Sequence, residues 1–404
     1  MQKRFVPDEG GVFPEWEEIE FGKLFQRRSE KNGEEFGVDK TISVATMHFK
    51  PEGNKADEKS LPKYKVMRTG DIAFEGHINK HFKHGRFVLN DIGDGIISPI
   101  FEVLQPVSEL SKEVPEFWKY YINYEPVMGK ILAKCANTGI MMNRLAVKDF
   151  YKQKIKVPCI EEQRKIAAAF AAYDEMIAVK TAKLETWQEC KKRMVKEIFG
   201  RAKRFRDDDG NEFPEWEEKT LGEISEPLKY GMSAAAVKYD GENKYLRITD
   251  IDEASRKYVS DKIASPEASK IAEKFLVQKN DLLFARTGAS VGKTYLYDET
   301  DGKMYYAGYL IKAHIKPEYD SQFIFQLTLT NEFKKWVKKE SMRTAQPGIN
   351  AECLAKYKMM IPCMEEQQKI GSFLAEIDKE IQIQKEFIKT YAEGKKRMMR
   401  ELME

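Results

Sequence analysis

Residues 157–166 read VPCIEEQRKI and residues 361–370 read IPCMEEQQKI, matching at seven of ten positions with an offset of 204. From the closing isoleucine, apolar residues continue at spacings of three, four and seven: Ile166, Phe170, Tyr173, Ile177, Leu184, Trp187, Met194 and Ile198. Adding 204 to each gives Ile370, Leu374, Ile377, Ile381, Ile388, Tyr391, Met398 and Leu402. Such a stripe is the a/d seam of a coiled coil. It breaks at Lys180 and Lys191 in the first copy and at Gln384 and Lys395 in the second, again 204 apart. Pro158 and Pro362 precede the helices, and the acidic pairs Glu161–Glu162 and Glu365–Glu366 suit a positive helix N-terminus. The pattern predicts two helices of about 40 residues, each roughly 60 Å long. One stripe alone needs a partner. The nearest is the other helix of the same chain, with the paired polar breaks limiting slippage. The alternative is that each helix packs only on its own globular domain, which rarely needs so long a seam.

Working outward, a second repeat opens each copy. RFVPDEGGVFPEWEE (4–18) and RFRDDDGNEFPEWEE (204–218) share ten of fifteen positions, and KKRM recurs at 191–194 and 395–398. The 404 residues are therefore a duplicated unit of about 200. Between opening and helix the copies differ but keep landmarks. RTGDIAFEG (68–76) and VQKNDLLFARTG (277–288) each read as an apolar strand behind a turn. An alternating strand follows, IISPIFEVLQP (96–106) and YYAGYLIKAHIKP (305–317), then a helical segment over 116–136 and 322–342. The expected division is 1–157 globular, 158–200 central helix, 201–361 globular and 362–404 distal helix. The fold class is α+β: two mixed domains alternate with two long helices that pair antiparallel, in an internal pseudo-twofold repeat.

Composition sets limits on function. Sixty-eight Lys and Arg face 65 Asp and Glu, a net charge of +3, and 42% of residues are hydrophobic. Residues 1–200 hold 33 basic and 30 acidic side chains, and the rest hold 35 of each. Near-neutrality is thus a property of each copy, and any nucleic-acid contact must rest on local patches. No apolar run reaches the 18 residues of a membrane span, and MQKRFVPDEGG lacks a signal-peptide core, so a cytoplasmic protein is expected. Five cysteines without a CxxC pair argue against a disulfide framework.

Catalytic motifs are absent from the sequence: no HExxH, GxSxG, zinc spacing or EF-hand loop occurs. GASVGKT (288–294) has three residues between its glycines where a phosphate loop needs four. It reads instead as a flexible loop whose Arg286, Thr287, Lys293 and Thr294 can meet phosphates or base edges. GHINKHFKHGRF (76–87) clusters His77, His81 and His84, but no carboxylate or cysteine within it completes a metal site, so no metal is expected. Its donors Asn79, Lys80, Lys83 and Arg86 interleave with aromatic rings, as a nucleic-acid-facing loop would. Further basic residues gather at 130–156 and at 334–343, including Arg343; such runs are ordinarily solvated helix faces, but here they recur in both copies.

Together these features resemble the specificity subunit of Type I restriction–modification systems. The resemblance rests on FPEWEE, on the GDI and NDL strands, on TGIMMNRL (138–145) and TAQPGIN (344–350), and on the two EEQ helix starts. It spans residues 4–404. It implies a noncatalytic DNA-recognition subunit whose two target-recognition domains each read half of a split, asymmetric site in double-stranded DNA. The helices would pair through Ile166, Phe170, Tyr173, Ile177, Leu184 and Trp187 against Ile370, Leu374, Ile377, Ile381, Ile388 and Tyr391, and set the unread spacer. Two DNA methyltransferase subunits carrying S-adenosylmethionine would dock, and ATP-using restriction subunits would join them; this chain would hold no cofactor. The resemblance places DNA-facing loops at Lys80, Lys83 and Arg86 and at Arg286, Thr287 and Lys293, and nominates Asn143, Arg144, Gln346 and Asn350. Two other readings are a coiled-coil protein-interaction scaffold without sequence-specific DNA binding, and an enzyme. The missing DPPY/NPPF-type tetrapeptide counts against a methyltransferase.

Overall fold

The computed structural model describes residues 4–50, 58–139, 142–259, 262–342 and 348–403. They form two compact units, Met1–Val179 with Phe387–Glu404, and Lys180–Glu386. Each unit holds one globular domain and about half of both long helices. Those helices run Ile160–Phe199 and Met364–Met403, forty residues apiece.

Within the first unit the helix segments pack antiparallel. Ile166, Ala167 and Phe170 share one core with Leu402 and Met403, and Tyr173 meets Tyr391 edge-on at 6.4 Å. In the second unit Met194 and Ile198 share a core with Ile370, Leu374 and Ile377, and Trp187 and Ile381 pack against it. Two of the polar breaks become ion pairs across the seam. Lys395 Nζ lies 2.5 Å from Asp174 Oδ1, and Lys191 Nζ lies 2.5 Å from Asp378 Oδ1. Each aspartate also accepts a bond from its own domain, Asp174 from the Tyr120 hydroxyl (2.8 Å) and Asp378 from Gln326 Nε2 (2.8 Å). The seam is buried toward its ends, where Phe170 also packs on Tyr120, while Ile177, Leu184 and Ile388 are only half-buried. Helix-on-helix and helix-on-domain packing thus coexist.

The repeated openings have a structural reason. Glu162 is fully buried at the start of its helix and accepts bonds from Arg4 Nη2 (2.6 Å) and Trp16 Nε1 (3.1 Å). Glu366 is equally buried and accepts from Arg204 (2.8 Å) and Trp216 (3.1 Å). The next residue finishes the clamp: Gln163 donates to the Pro158 carbonyl at 3.0 Å, Gln367 to that of Pro362 at 2.8 Å. A buried carboxylate is tolerated only when charged donors satisfy it. The Arg and Trp of the opening supply those donors, so FPEWEE and EEQ form one device.

Each domain is built on a four-stranded antiparallel sheet of the same strand order. In the first it runs Phe25–Arg27, Glu102–Pro106, Ile72–Glu75, Arg86–Leu89; in the second Lys229–Tyr230, Leu310–His314, Asp281–Ala285, Thr294–Leu296. The third strand follows a tight turn. Gly70 (φ +87°) and Asn280 (φ +67°) take its left-handed position, and buried Asp71 and Asp281 accept the backbone amides of Arg68 and Gln278. That is why GDI and NDL recur. Burial raises the Asp71 carboxyl above the usual range, against the Arg28 bond that lowers it. The alternating strand expected over 96–106 is in fact two, Gly95–Ile97 and Glu102–Pro106, and that over 305–317 is likewise Met304–Tyr306 and Leu310–His314. A turn separates each pair, because the shorter strands leave the sheet to pair elsewhere, with Lys65–Met67 and with Lys244–Leu246. The helical segments also split, into Pro115–Tyr121 and Glu125–Cys135 and into Ser321–Thr328 and Asn331–Ser341.

Candidate nucleic-acid interface

In the first domain Ile72–Glu75 leaves the sheet at Gly76, whose carbonyl accepts the Asn143 amide at 2.9 Å. A Cβ on Gly76 would stand 2.0 Å from the Asn143 carbonyl oxygen, so only glycine permits this approach. The loop after strand Ile72–Glu75 and the segment around 143 therefore meet. Asn79 Oδ1 accepts the amides of His81 (2.8 Å) and Phe82 (3.0 Å), making a turn that leaves Lys80 and Lys83 exposed. Arg86 is differently placed. Its Nε donates to buried Glu75 (2.7 Å), its Nη2 to the Ala45 carbonyl (2.6 Å), and its guanidinium lies over the Phe82 ring at 5.2 Å. Glu75 stands one residue outside the acid-free stretch read from sequence and holds Arg86 in the frame. Asn143 is also buried and serves as a backbone hook, while Arg144 beside it is exposed on a short hairpin with Asn137.

The second domain joins the corresponding segments. Asp281–Ala285 leads to Arg286, whose carbonyl accepts the Ile349 amide at 2.9 Å, and Thr287 bridges Gly348. The Arg286 guanidinium donates through Nε to the Gly308 carbonyl (2.9 Å) and lies over the Tyr230 ring at 5.1 Å. Tyr230 is fixed in turn, its hydroxyl accepting the Ala351 amide at 2.9 Å.

Several nominated residues are corrected here. Lys293 is buried, and its Nζ donates to the Ile251 carbonyl (2.9 Å) with Glu253 at 3.5 Å. Thr294 is buried and bonded to Thr328 at 2.9 Å. Neither presents a donor to solvent, and GASVGKT folds as a short helical turn over Gly288–Ser290 that leads into the strand Thr294–Leu296. Asn350 is the N-cap of Ala351–Ala355, its Oδ1 accepting the Cys353 amide at 2.7 Å. Arg343 and Gln346 lie outside the described residues. Lys334, Lys335, Lys338 and Lys339 are exposed on Asn331–Ser341.

Sequence reasoning missed four exposed apolar side chains beside these loops: Ile78 and Ile100 in the first domain, Tyr230 and Tyr309 in the second. Ile78 lies within the 76–87 stretch itself and Ile100 in the turn that Phe101 closes on Ser98, while strand pairing brings Tyr230 and Tyr309 to Arg286. Among the described residues, no group of three or more His, Cys, Asp or Glu could hold a metal ion, and no helix is long and apolar enough to cross a membrane.

Two sheets of one strand order, each with paired loops at one end, stand beside two forty-residue helices, and the comparisons with known proteins point to one class, the specificity subunits of Type I restriction–modification systems. Residues 214–390 match the family model described as the Type I restriction modification DNA specificity domain. The MjaVIII specificity subunit of a Type I restriction enzyme from Methanocaldococcus jannaschii is 24% identical over 325 residues, 76% of this chain and 73% of that protein. A putative Type I restriction enzyme MjaX specificity subunit of the same organism is 24% identical over 425 residues, covering 100% of this chain and 96% of its own. The crystal structure of the S subunit of a Type I system from M. genitalium shares the fold, with a TM-score of 0.64 at 14% identity over 99% of both chains. The resemblance read from the sequence thus holds: the chain carries a Type I DNA specificity domain and is similar end to end to specificity subunits.

Proposed function

We propose that this protein reads a bipartite, asymmetric site in double-stranded DNA, one half with each domain, and carries out no chemistry itself. One observation supports this above the rest. In both domains a loop read from its donors and a segment nominated by the resemblance are hydrogen-bonded together at the same end of the same sheet, on a frame that is otherwise repeated. Frame constant and loops different is what two readers of different half-sites require. Exposed Lys80, Lys83 and Arg144 in the first domain and the Lys334–Lys339 face in the second would meet phosphates and give salt-dependent affinity. The loop tips would supply the sequence-dependent contacts. The paired helices would act as the spacer that makes the second half-site contact intramolecular.

The relatives are named as specificity subunits, and on that ground we assign methylation and cleavage to partners. Two methyltransferase subunits would bring S-adenosylmethionine and flip the target base, restriction subunits would use ATP, and the assembly would work in the cytoplasm. Met176, Val179 and Phe387, exposed on the helix segments of the first unit, suit a docked protein better than water.

The test is a footprint on duplex DNA with the methyltransferase partner present. Two protected patches separated by an unread gap are expected. A single continuous patch, or weak binding without sequence preference, would replace this reading with the protein-interaction scaffold. Lengthening both helices equally, at Thr181–Lys183 and Lys385–Phe387, should widen the gap and leave both half-sequences unchanged.

A further inference from the structure

The two sheets present one matched position that no motif marks. In the first domain Ile72 pairs with Leu104, Ala73 with Val103 and Phe74 with Glu102, where the ladder ends, and Ile100 is the third residue of the turn that the Phe101 amide closes on the Ser98 carbonyl. In the second domain Ala285 pairs with Leu310, and the next amide, Arg286, donates to the Tyr309 carbonyl at 3.1 Å. Gly76 and Arg286 are the residues whose carbonyls bind the return segments at Asn143 and Ile349. Three stretches of chain therefore converge at each sheet end: the loop after the third strand, the return segment, and the turn that splits the alternating strand. At the tip of that turn stands one large apolar side chain, Ile100 (65% exposed) or Tyr309 (61% exposed).

Single exposed apolar residues are ordinary on protein surfaces. Two at the third position of corresponding turns, closed by Phe101 on Ser98 and by Leu310 on Ala307, in domains whose loops otherwise differ, are harder to assign to chance. Among the described residues neither side chain packs into a hydrophobic core, and the turns that carry them are closed by backbone bonds. Phe101 bonds back to the Ser98 carbonyl, Leu310 to that of Ala307, and the Arg286 side chain is fixed by Gly308. Beside Tyr309 the Arg286 guanidinium lies over the Tyr230 ring, and the first domain carries exposed Asn79, Lys80 and Arg144 on its own loops.

We infer that Ile100 and Tyr309 are equivalent base-contacting positions, one per domain, each making the apolar contact that distinguishes one base pair of its half-site. An aliphatic side chain in the major groove packs on a thymine methyl group, and a tyrosine ring offers an edge or face to the same surface. Phosphate-binding residues add affinity to any sequence, whereas these two add it to particular ones. This rests on the DNA-reading function proposed above and adds to it the residues that discriminate.

The experiment uses the full chain with its methyltransferase partner and a randomised duplex library, comparing the parent with Ile100→Ser, Tyr309→Ser and, as a control on phosphate binding, Lys80→Ala with Lys83→Ala. Both tip residues are exposed, so the variants should keep the parent's melting temperature; Ile100→Val and Tyr309→Phe serve if a serine variant does not. The expected result is that Ile100→Ser relaxes preference at one base pair of one half-site, and Tyr309→Ser at one of the other. Affinity for the selected duplex should fall about fivefold or more, the scale of about 1 kcal/mol for a base contact, and affinity for unrelated duplex should not change. A uniform loss on all sequences, or an unchanged motif in either variant while the parent still selects a split site, overturns the inference and leaves the DNA-reading function standing. A parent that selects no sequence overturns both.

Discussion

The two copies are held together by the same contacts and differ where they face outward. Arg4 and Trp16 grip Glu162 in the first; Arg204 and Trp216 grip Glu366 in the second. Asp174 ties Lys395 to Tyr120, and Asp378 ties Lys191 to Gln326. The loops diverge beyond that frame. Arg86 in the first is clamped to Glu75 and Ala45, whereas in the second Lys293 turns inward to Ile251. A frame fixed by buried charge leaves the exposed loops free to change without refolding the domain. That separation is what the reading of two different half-sites proposed above would draw on.

The equivalence of the frames is tested hardest at Glu162 and Glu366. Removing one partner of a buried pair leaves the other charge uncompensated, at a typical cost of about 3 kcal/mol. Glu162→Ala should lower the stability of the first unit by about that much and Glu366→Ala that of the second, read by hydrogen exchange unit by unit. A large loss in one and none in the other would break the comparison. The next effect is smaller. Asp174→Ala and Asp378→Ala each remove a half-buried ion pair and a second hydrogen bond, worth about 2 kcal/mol together. Protection should fall at 166–177 and 391–403 in one variant and at 187–198 and 370–381 in the other.

The loop lysines sharpen the contrast from the other side. Lys293→Met leaves the Ile251 carbonyl without its donor and should cost about 1 kcal/mol in the second unit, with the salt dependence of DNA binding unaltered. Lys80→Ala with Lys83→Ala should leave stability within about 0.5 kcal/mol. It should flatten the plot of log affinity against log salt by about 0.9 for each phosphate no longer neutralised. A Lys293 variant that stays fully stable but binds DNA with a weaker salt dependence would return that residue to the DNA surface.

How far the sequence was legible follows the same division. The helices were readable because a seam of alternating threes and fours is a local signal, and the forty-residue lengths of Ile160–Phe199 and Met364–Met403 agree with it. The repeated openings were visible as repeats, but their purpose was not, since Arg4 and Glu162 lie 158 residues apart. Several of the nominated side chains turn inward, while Lys80, Lys83 and Arg144 stay exposed. Lys293, Thr294 and Asn350 look like exposed donors in a string of letters, and each side chain has an internal partner that only folding supplies, while Asn143 is buried and joins Gly76 through its backbone amide. Ile100 and Tyr309 show the converse, because apolar residues in an alternating stretch read as core until the turn that splits the strand places them outside.

The smallest expected effect separates the two loop systems by chemistry. In the first unit Arg68 reaches Glu30, Glu35 and Asp94. Its guanidinium holds the Glu30 carboxyl below the usual range; Asp94 is held low first by the Thr69 amide and further by Arg68. In the second unit Asp240, Asp252 and Asp298 are also held low, by bonds from Asn243, Ser255 and Thr300 respectively. All five are carboxyls with depressed folded-state pKa values. Their contribution to stability is therefore fully present above the unfolded value of about 4 and is lost as pH falls through the lower folded values. Both units should weaken in acid, but for different reasons. Ion pairs at this exposure are screened by salt, whereas short hydrogen bonds from neighbouring amides and hydroxyls are much less so. Raising the salt concentration to about 1 M, where the Debye length is about 3 Å, should reduce the acid dependence of the first unit and leave that of the second nearly unchanged. Arg68→Met should reproduce the effect of salt in the first unit alone, measured as hydrogen exchange of residues 65–75 against residues 244–306 between pH 5 and 3. Equal salt sensitivity in both units would mean that charge, and not hydrogen-bonded turns, holds the loops of the second domain as well.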